Sequence, residues 1–138
     1  MNQYEQIFKK ISSLVPDLDK IEPGEGIKLK SKNFMDLNID VLWKEEDKIT
    51  FSMAHYYKQN GDMVPDPDME IAVYPKQKMA EALSYQDSYG YREVYPEPEK
   101  FYPKAKKELN SFLNQWLNNI KMQGHKIETD IPEQGKGR

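Results

Sequence analysis

The chain has 138 residues, 38% of them hydrophobic and 31% charged, with a formal net charge of −3. That length suits one domain with one core, and the mild acidity gives no basis for broad attraction to nucleic acid or to a membrane surface. There is no cysteine, so disulfides, thiol nucleophiles and thiolate metal sites are excluded.

Tyr4, Ile7, Phe8, Ile11, Leu14 and Val15 recur at helical spacing and predict a first amphipathic helix. Asn2 followed three residues later by Glu5 has the form of a capping box, and Pro16 stops the helix. A turn around Pro23-Gly24-Glu25-Gly26 leads into a short edge strand with Ile27 and Leu29. Met35, Leu37, Ile39, Val41 and Trp43 then alternate with polar residues and predict a strand with one dry face. After a charged turn over 44–48, Ile49, Phe51, Met53, His55 and Tyr57 form the next strand. Asn60-Gly61 is a turn dipeptide, expected inside a longer loop that reaches Pro67. Met69, Ile71 and Val73 make the following strand, stopped by Pro75.

Residues 78–85 combine helical propensity with a short length and a four-residue connection that suits a hairpin. A strand is preferred there over a helix, and Tyr89 to Val94 reads as another strand. Pro103 to Gly124 is the longest element. Leu109, Phe112, Leu113, Trp116, Leu117 and Ile120 share one helical face, with proline at the first position and glycine just past the end. The chain from His125 carries mixed charge, glycine and proline without an apolar period, and is expected to be a disordered tail.

The predicted architecture is α+β. It comprises an antiparallel sheet of five to six strands, with the N-terminal helix and the long C-terminal helix packed on one face and the other face wet. Residues 1–124 form a single domain and 125–138 the tail. With no leader-like segment and no apolar run near 18 residues, the expected compartment is the cytoplasm, with no membrane partner.

Met69 through Tyr74, Met79-Ala80-Glu81, Tyr95-Pro96 and Asn110-x-Phe112-Leu113-x-x-Trp116-Leu117 before a glycine resemble the small YqiB-like bacterial proteins, a family carrying a domain of unknown function. His55-Tyr56-Tyr57-x-Gln59-Asn60-Gly61-Asp62 through Asp66-Pro67-Asp68-Met69-Glu70 resembles a sister group of uncharacterised proteins from mobile elements and phages. The resemblance spans roughly residues 50–124 and implies a shared fold, without an activity to carry over.

One cluster holds candidate chemistry. His55, Asp62, Asp66, Asp68 and Glu70 place four carboxylates and an imidazole within a short span, a donor set that could hold a cation or supply an acid and a base. A calcium loop does not fit, because counting from Asp66 puts Ile71 where glycine is needed and Gln77 where glutamate is needed. Strand parity sets His55 on the core side with Phe51 and Met53, while Asp68 and Glu70 point the other way beside Tyr56 and Lys58. The alternative to a metal-dependent hydrolase is that the carboxylates are turn and surface residues and His55 a hydrogen-bonded core residue.

Nine tyrosines are a second feature, Tyr85, Tyr89, Tyr91, Tyr95 and Tyr102 lying close together with Tyr56 and Tyr57 upstream. Such rings either finish a thin core or line an interface. Lys100, Lys104, Lys106 and Lys107 interleave with Phe101 and Tyr102 and could touch nucleic acid, or form a solvated face. No phosphate loop, nucleophile elbow or His-Glu-x-x-His motif is present, and no cofactor is expected. The sequence thus favours a non-enzymatic binding protein with a protein partner. The candidate surface is Tyr56, Tyr57, Asn60, Asp62, Asp66, Asp68, Glu70 and Tyr91.

Overall fold

A computed structural model describes residues 1–128, with the backbone alone for residues 57–59 and 62–66. Helix α1 (Gln3–Leu14) opens on the expected capping box: Asn2 accepts from the Glu5 N–H at 2.9 Å, and Glu5 accepts from the Asn2 N–H at 2.9 Å. A 3₁₀ turn (Leu18–Lys20) leads to seven strands: β1 (Gly26–Ser31), β2 (Phe34–Glu45), β3 (Lys48–Gln59), β4 (Asp62–Tyr74), β5 (Met79–Asp87), β6 (Gly90–Glu93) and β7 (Lys126–Ile127). Helix α2 (Pro103–Met122) lies between β6 and β7 in sequence. The sheet runs β6-β5-β4-β3-β2-β1-β7, and every pairing is antiparallel.

Both helices pack on one face of the sheet, as the two apolar stripes require. Ile7 and Ile11 of α1 and Leu109, Leu113, Trp116, Leu117 and Ile120 of α2 close over Leu29, Leu37, Ile39, Phe51, Met53, Met69 and Ile71. Phe112 belongs to the predicted stripe but sits at its margin, its ring edge-on to Tyr85 at 5.2 Å. The 78–85 segment is strand, as the hairpin connection implies, except for Lys78, which ends the turn with a φ of 57° before β5 begins at Met79.

The sheet of the described residues has seven strands rather than five to six, the addition being the short β7 beyond α2, and three further expectations change. First, the anticipated loop from Asn60 to Pro67 is a hairpin. Asn60 and Gly61 have φ of 54° and 88°, the two positive values a two-residue type I′ turn needs, and Gln59 pairs directly with Asp62. The prolines are tolerated for a definite reason. The register moves from Ala54↔Asp68 to Tyr56↔Pro65, so Pro67 falls in a bulge, and β5 begins to pair with β4 only at Asp68.

Second, the chain remains structured past Gly124. Gly124 (φ 79°) donates to the Lys121 carbonyl at 3.0 Å and the His125 N–H to the Ile120 carbonyl at 3.3 Å, the two bonds of a Schellman motif. That motif turns the chain back, buries His125 and delivers Lys126 and Ile127 to the edge of β1. The rest of the expected tail, 129–138, lies outside the described residues.

Third, Trp43 is not on the dry face. A register shift between Val41 and Trp43 pairs Trp43 with Thr50, whose side of the sheet faces away from the helices, and Trp43 is 57% exposed.

Candidate functional site

The strand register builds the site on the face of the sheet opposite the helices. Antiparallel pairing places directly opposed residues side by side on the same face. Successive partners therefore trace rows across the sheet. One row is Asp40, Ser52, Glu70, Ser84 and Glu93, running from β2 to β6. Beside it lies Asn38, Ala54, Asp68, Gln86 and Tyr91. On the other side lies Trp43, Thr50, Ala72 and Glu81. Carboxylates thus recur on alternate strands with small or polar residues between them.

These charges are poorly compensated. Among the described residues, Asp40, Asp68, Glu70 and Glu93 form no ion pair. Burial, then the charges of Glu70 and Asp40, push the Asp68 carboxyl above its ordinary pKa. The Tyr56 hydroxyl is raised by burial and by the Asp68 and Asp40 charges, which places it against the same carboxylates.

Toward β6 the face deepens into an open cleft of about 580 Å³ lined by Lys48, Glu70, Tyr74, Glu81, Ser84, Tyr91, Glu93 and Tyr95, with Leu83 and Pro98. At its back, Glu81 accepts from the Tyr74 hydroxyl at 2.7 Å, from the Tyr95 hydroxyl, and from the Lys106 ammonium at 3.1 Å. Lys106 arrives from α2 around the edge of β5, and its ammonium lies 5.2 Å from the ring centroids of Tyr4 and Tyr95 and 5.6 Å from that of Phe101. Burial and the hydrogen bond to Glu81 keep the Tyr74 hydroxyl protonated far above its ordinary range.

The structure brings some of the predicted residues together and separates others. Tyr56, Asp68, Glu70 and Tyr91 share the face opposite the helices, while Asn60 marks the tip of the β3–β4 hairpin. Tyr57, Asp62 and Asp66 have their backbones in that hairpin, and their side chains lie outside the described residues. His55 is on the helix side: its Nδ1 is 2.9 Å from the Asp36 carbonyl and its ring packs against Trp116 and His125, at 5.5 and 5.8 Å. It therefore does not meet Asp68 or Glu70. The described residues contain no group of three or more His, Cys, Asp or Glu positioned for a metal ion. Of the four candidate lysines, Lys106 is engaged by Glu81 and Lys100 lies 3.8 Å from Glu97, while Lys104 and Lys107 are exposed.

The sequence alone gives no site role to Trp43, Asp40, Glu81 or Glu93. Asp40 and Glu81 were visible as polar alternates of their strands, but Trp43 was masked by a bulge that periodicity does not reveal. Among the described residues no helix is long and apolar enough to cross a membrane.

Comparison with curated proteins finds no match, and neither does comparison with solved structures. A family match does extend across residues 9–126, from α1 through the sheet and α2 to β7. The chain belongs to the family described as Domain of unknown function (DUF6908).

Proposed function

We propose that this domain is a protein-binding module whose docking surface is the face of the sheet opposite the helices. The supporting observation is the set of aligned rows: Asp40, Asp68, Glu70 and Glu93, without an ion pair among the described residues, interleaved with Tyr56 and Tyr91 and bordered by the exposed Trp43. A few hot-spot residues, enriched in Trp, Tyr and Arg, carry most of the binding energy at protein interfaces, and charge without a partner among the described residues favours an oppositely charged group outside the chain. The resemblance to YqiB-like and mobile-element proteins adds the narrower proposal of a cytoplasmic accessory factor encoded on a mobile element.

The test is affinity capture from the native host with three baits: the wild-type chain, Asp68→Lys with Glu70→Lys, and Lys9→Glu on the exposed side of α1. A partner held by the wild type and by Lys9→Glu, but lost from the double variant, supports the proposal. An identical set of captured proteins on all three baits contradicts it.

A further inference from the structure

We propose that the cleft at the β6 side of this face receives an arginine side chain from the partner, its guanidinium held between Glu70 and Glu93 and against the tyrosine rings. This deepens the proposed docking role and rests on it. Glu70 and Glu93 lie in one row with Ser84 between them, so two strand spacings, about 10 Å, separate their backbones. The small serine leaves a slot between two longer acidic side chains. Ser84 is nearly buried and lines the cleft together with Glu70, Tyr91 and Glu93. Both carboxylates and the Tyr91 side chain thus border the same space.

The lining also selects among cations. A bare metal ion needs several oxygens converging within about 2.6 Å, whereas here the acidic groups are spread along a row. A planar guanidinium suits a spread site, because its fork of donors can address two carboxylates while its face stacks on an aromatic ring. The chain already holds one cation in this manner, since Lys106 sits on Glu81 among the rings of Tyr4, Tyr95 and Phe101. Among the described residues, Lys48 is the one cation lining the cleft, beside three carboxylates, Glu70, Glu81 and Glu93. The net charge of that lining is negative.

The experiment is a ¹H–¹⁵N NMR titration of the full chain at low ionic strength with acetyl-Gly-Arg-Gly-amide. The same tripeptide with citrulline, which keeps the shape and removes the charge, and with lysine serve as comparisons. The expected result is amide shifts centred on Glu70, Ser84, Tyr91 and Glu93 with arginine, a weaker response with lysine and none with citrulline. Glu70→Gln with Glu93→Gln should weaken the arginine response by about tenfold or more, and the dispersion of its spectrum reports that it is folded. The citrulline comparison uses the wild-type chain and does not depend on the variant.

Absent shifts, shifts scattered over the surface, equal responses to arginine and to either comparison peptide, or an unaffected double variant would overturn the proposal. If capture is lost from Asp68→Lys with Glu70→Lys while the arginine peptide leaves the cleft unmoved, only the arginine assignment fails. If capture is unaffected by that double variant, the docking face itself is wrong.

Discussion

The Lys106 ammonium lies 3.1 Å from the Glu81 carboxylate, linking α2 to the far side of β5. The two side chains are 27% and 14% exposed, so the pair is better shielded than the other ion pairs among the described residues. Burial alone would lower the Lys106 pKa, but its bonds to Tyr95 and Glu81 outweigh burial and hold it above its ordinary value. Lys106→Met leaves Glu81 with two neutral hydroxyls as partners. It should destabilise the fold by about 1–3 kcal/mol, read as a lowered urea midpoint. Lys107→Met, on the exposed side of the same helix, should change the midpoint little.

Asn110 is fully buried, and its side-chain oxygen accepts from the Ala82 N–H of β5 at 2.8 Å, while its amide donates to the Lys106 carbonyl. A buried strand donor beyond the reach of β6 therefore finds its acceptor on a helix. Asn110→Ala removes that acceptor, strands the Ala82 N–H and opens a small void. A loss of about 1–3 kcal/mol in equilibrium unfolding is expected. Asn119→Ala, whose side chain bonds only Gln115 on the exposed face, is the comparison and should cost far less.

His55 supplies a pH dependence. Burial depresses its pKa, His125 adds to the depression, and the Asp36 carbonyl opposes it. The folded chain therefore binds this proton less readily than the unfolded chain, so stability rises with pH through this region. The contribution is complete above the unfolded value of about 6.5 and is lost as pH falls from there toward the folded value. Urea midpoints measured between pH 5 and pH 8 should fall on the acid side, and His55→Gln should flatten that slope. A wild-type midpoint that rises on acidification through this window would contradict the assignment.

Much of the fold was legible from periodicity. The two apolar stripes, the capping box at Asn2 and Glu5, the Asn60-Gly61 turn and the burial of Phe51, Met53, Met69 and Ile71 all follow from local pattern. What escaped depends on non-local register. Prolines 65 and 67 suggested a loop because a strand accommodates them only at a bulge or where a neighbour has ended, and both circumstances are set by strands distant in sequence. Period-two alternation puts Trp43 on the core side, whereas one extra residue in β2 reverses the parity and exposes it. His125 looked like the start of a tail because its burial depends on where α2 ends relative to Met35, whose carbonyl lies 2.8 Å from its Nε2. Tyr56, Asp68 and Glu70 were recognisable as polar alternates and Tyr91 as one of the clustered tyrosines. Their alignment with Asp40, Ser84 and Glu93 exists only in the assembled sheet.

The most direct measurement of the central claim, an acidic face held ready for a cationic partner, is equilibrium urea unfolding of Asp68→Asn, Glu70→Gln and the pair at neutral pH and low salt. The raised Asp68 pKa means that its ionised form is disfavoured by folding, so its contribution to stability is lost as pH rises through the folded value. Neutralising it at pH 7 should therefore raise the unfolding midpoint, most for the double variant, with the gain shrinking as salt screens the repulsion. Midpoints lowered by these substitutions, at all salt concentrations, would mean that the carboxylates serve the fold and that the face is not a strained binding surface.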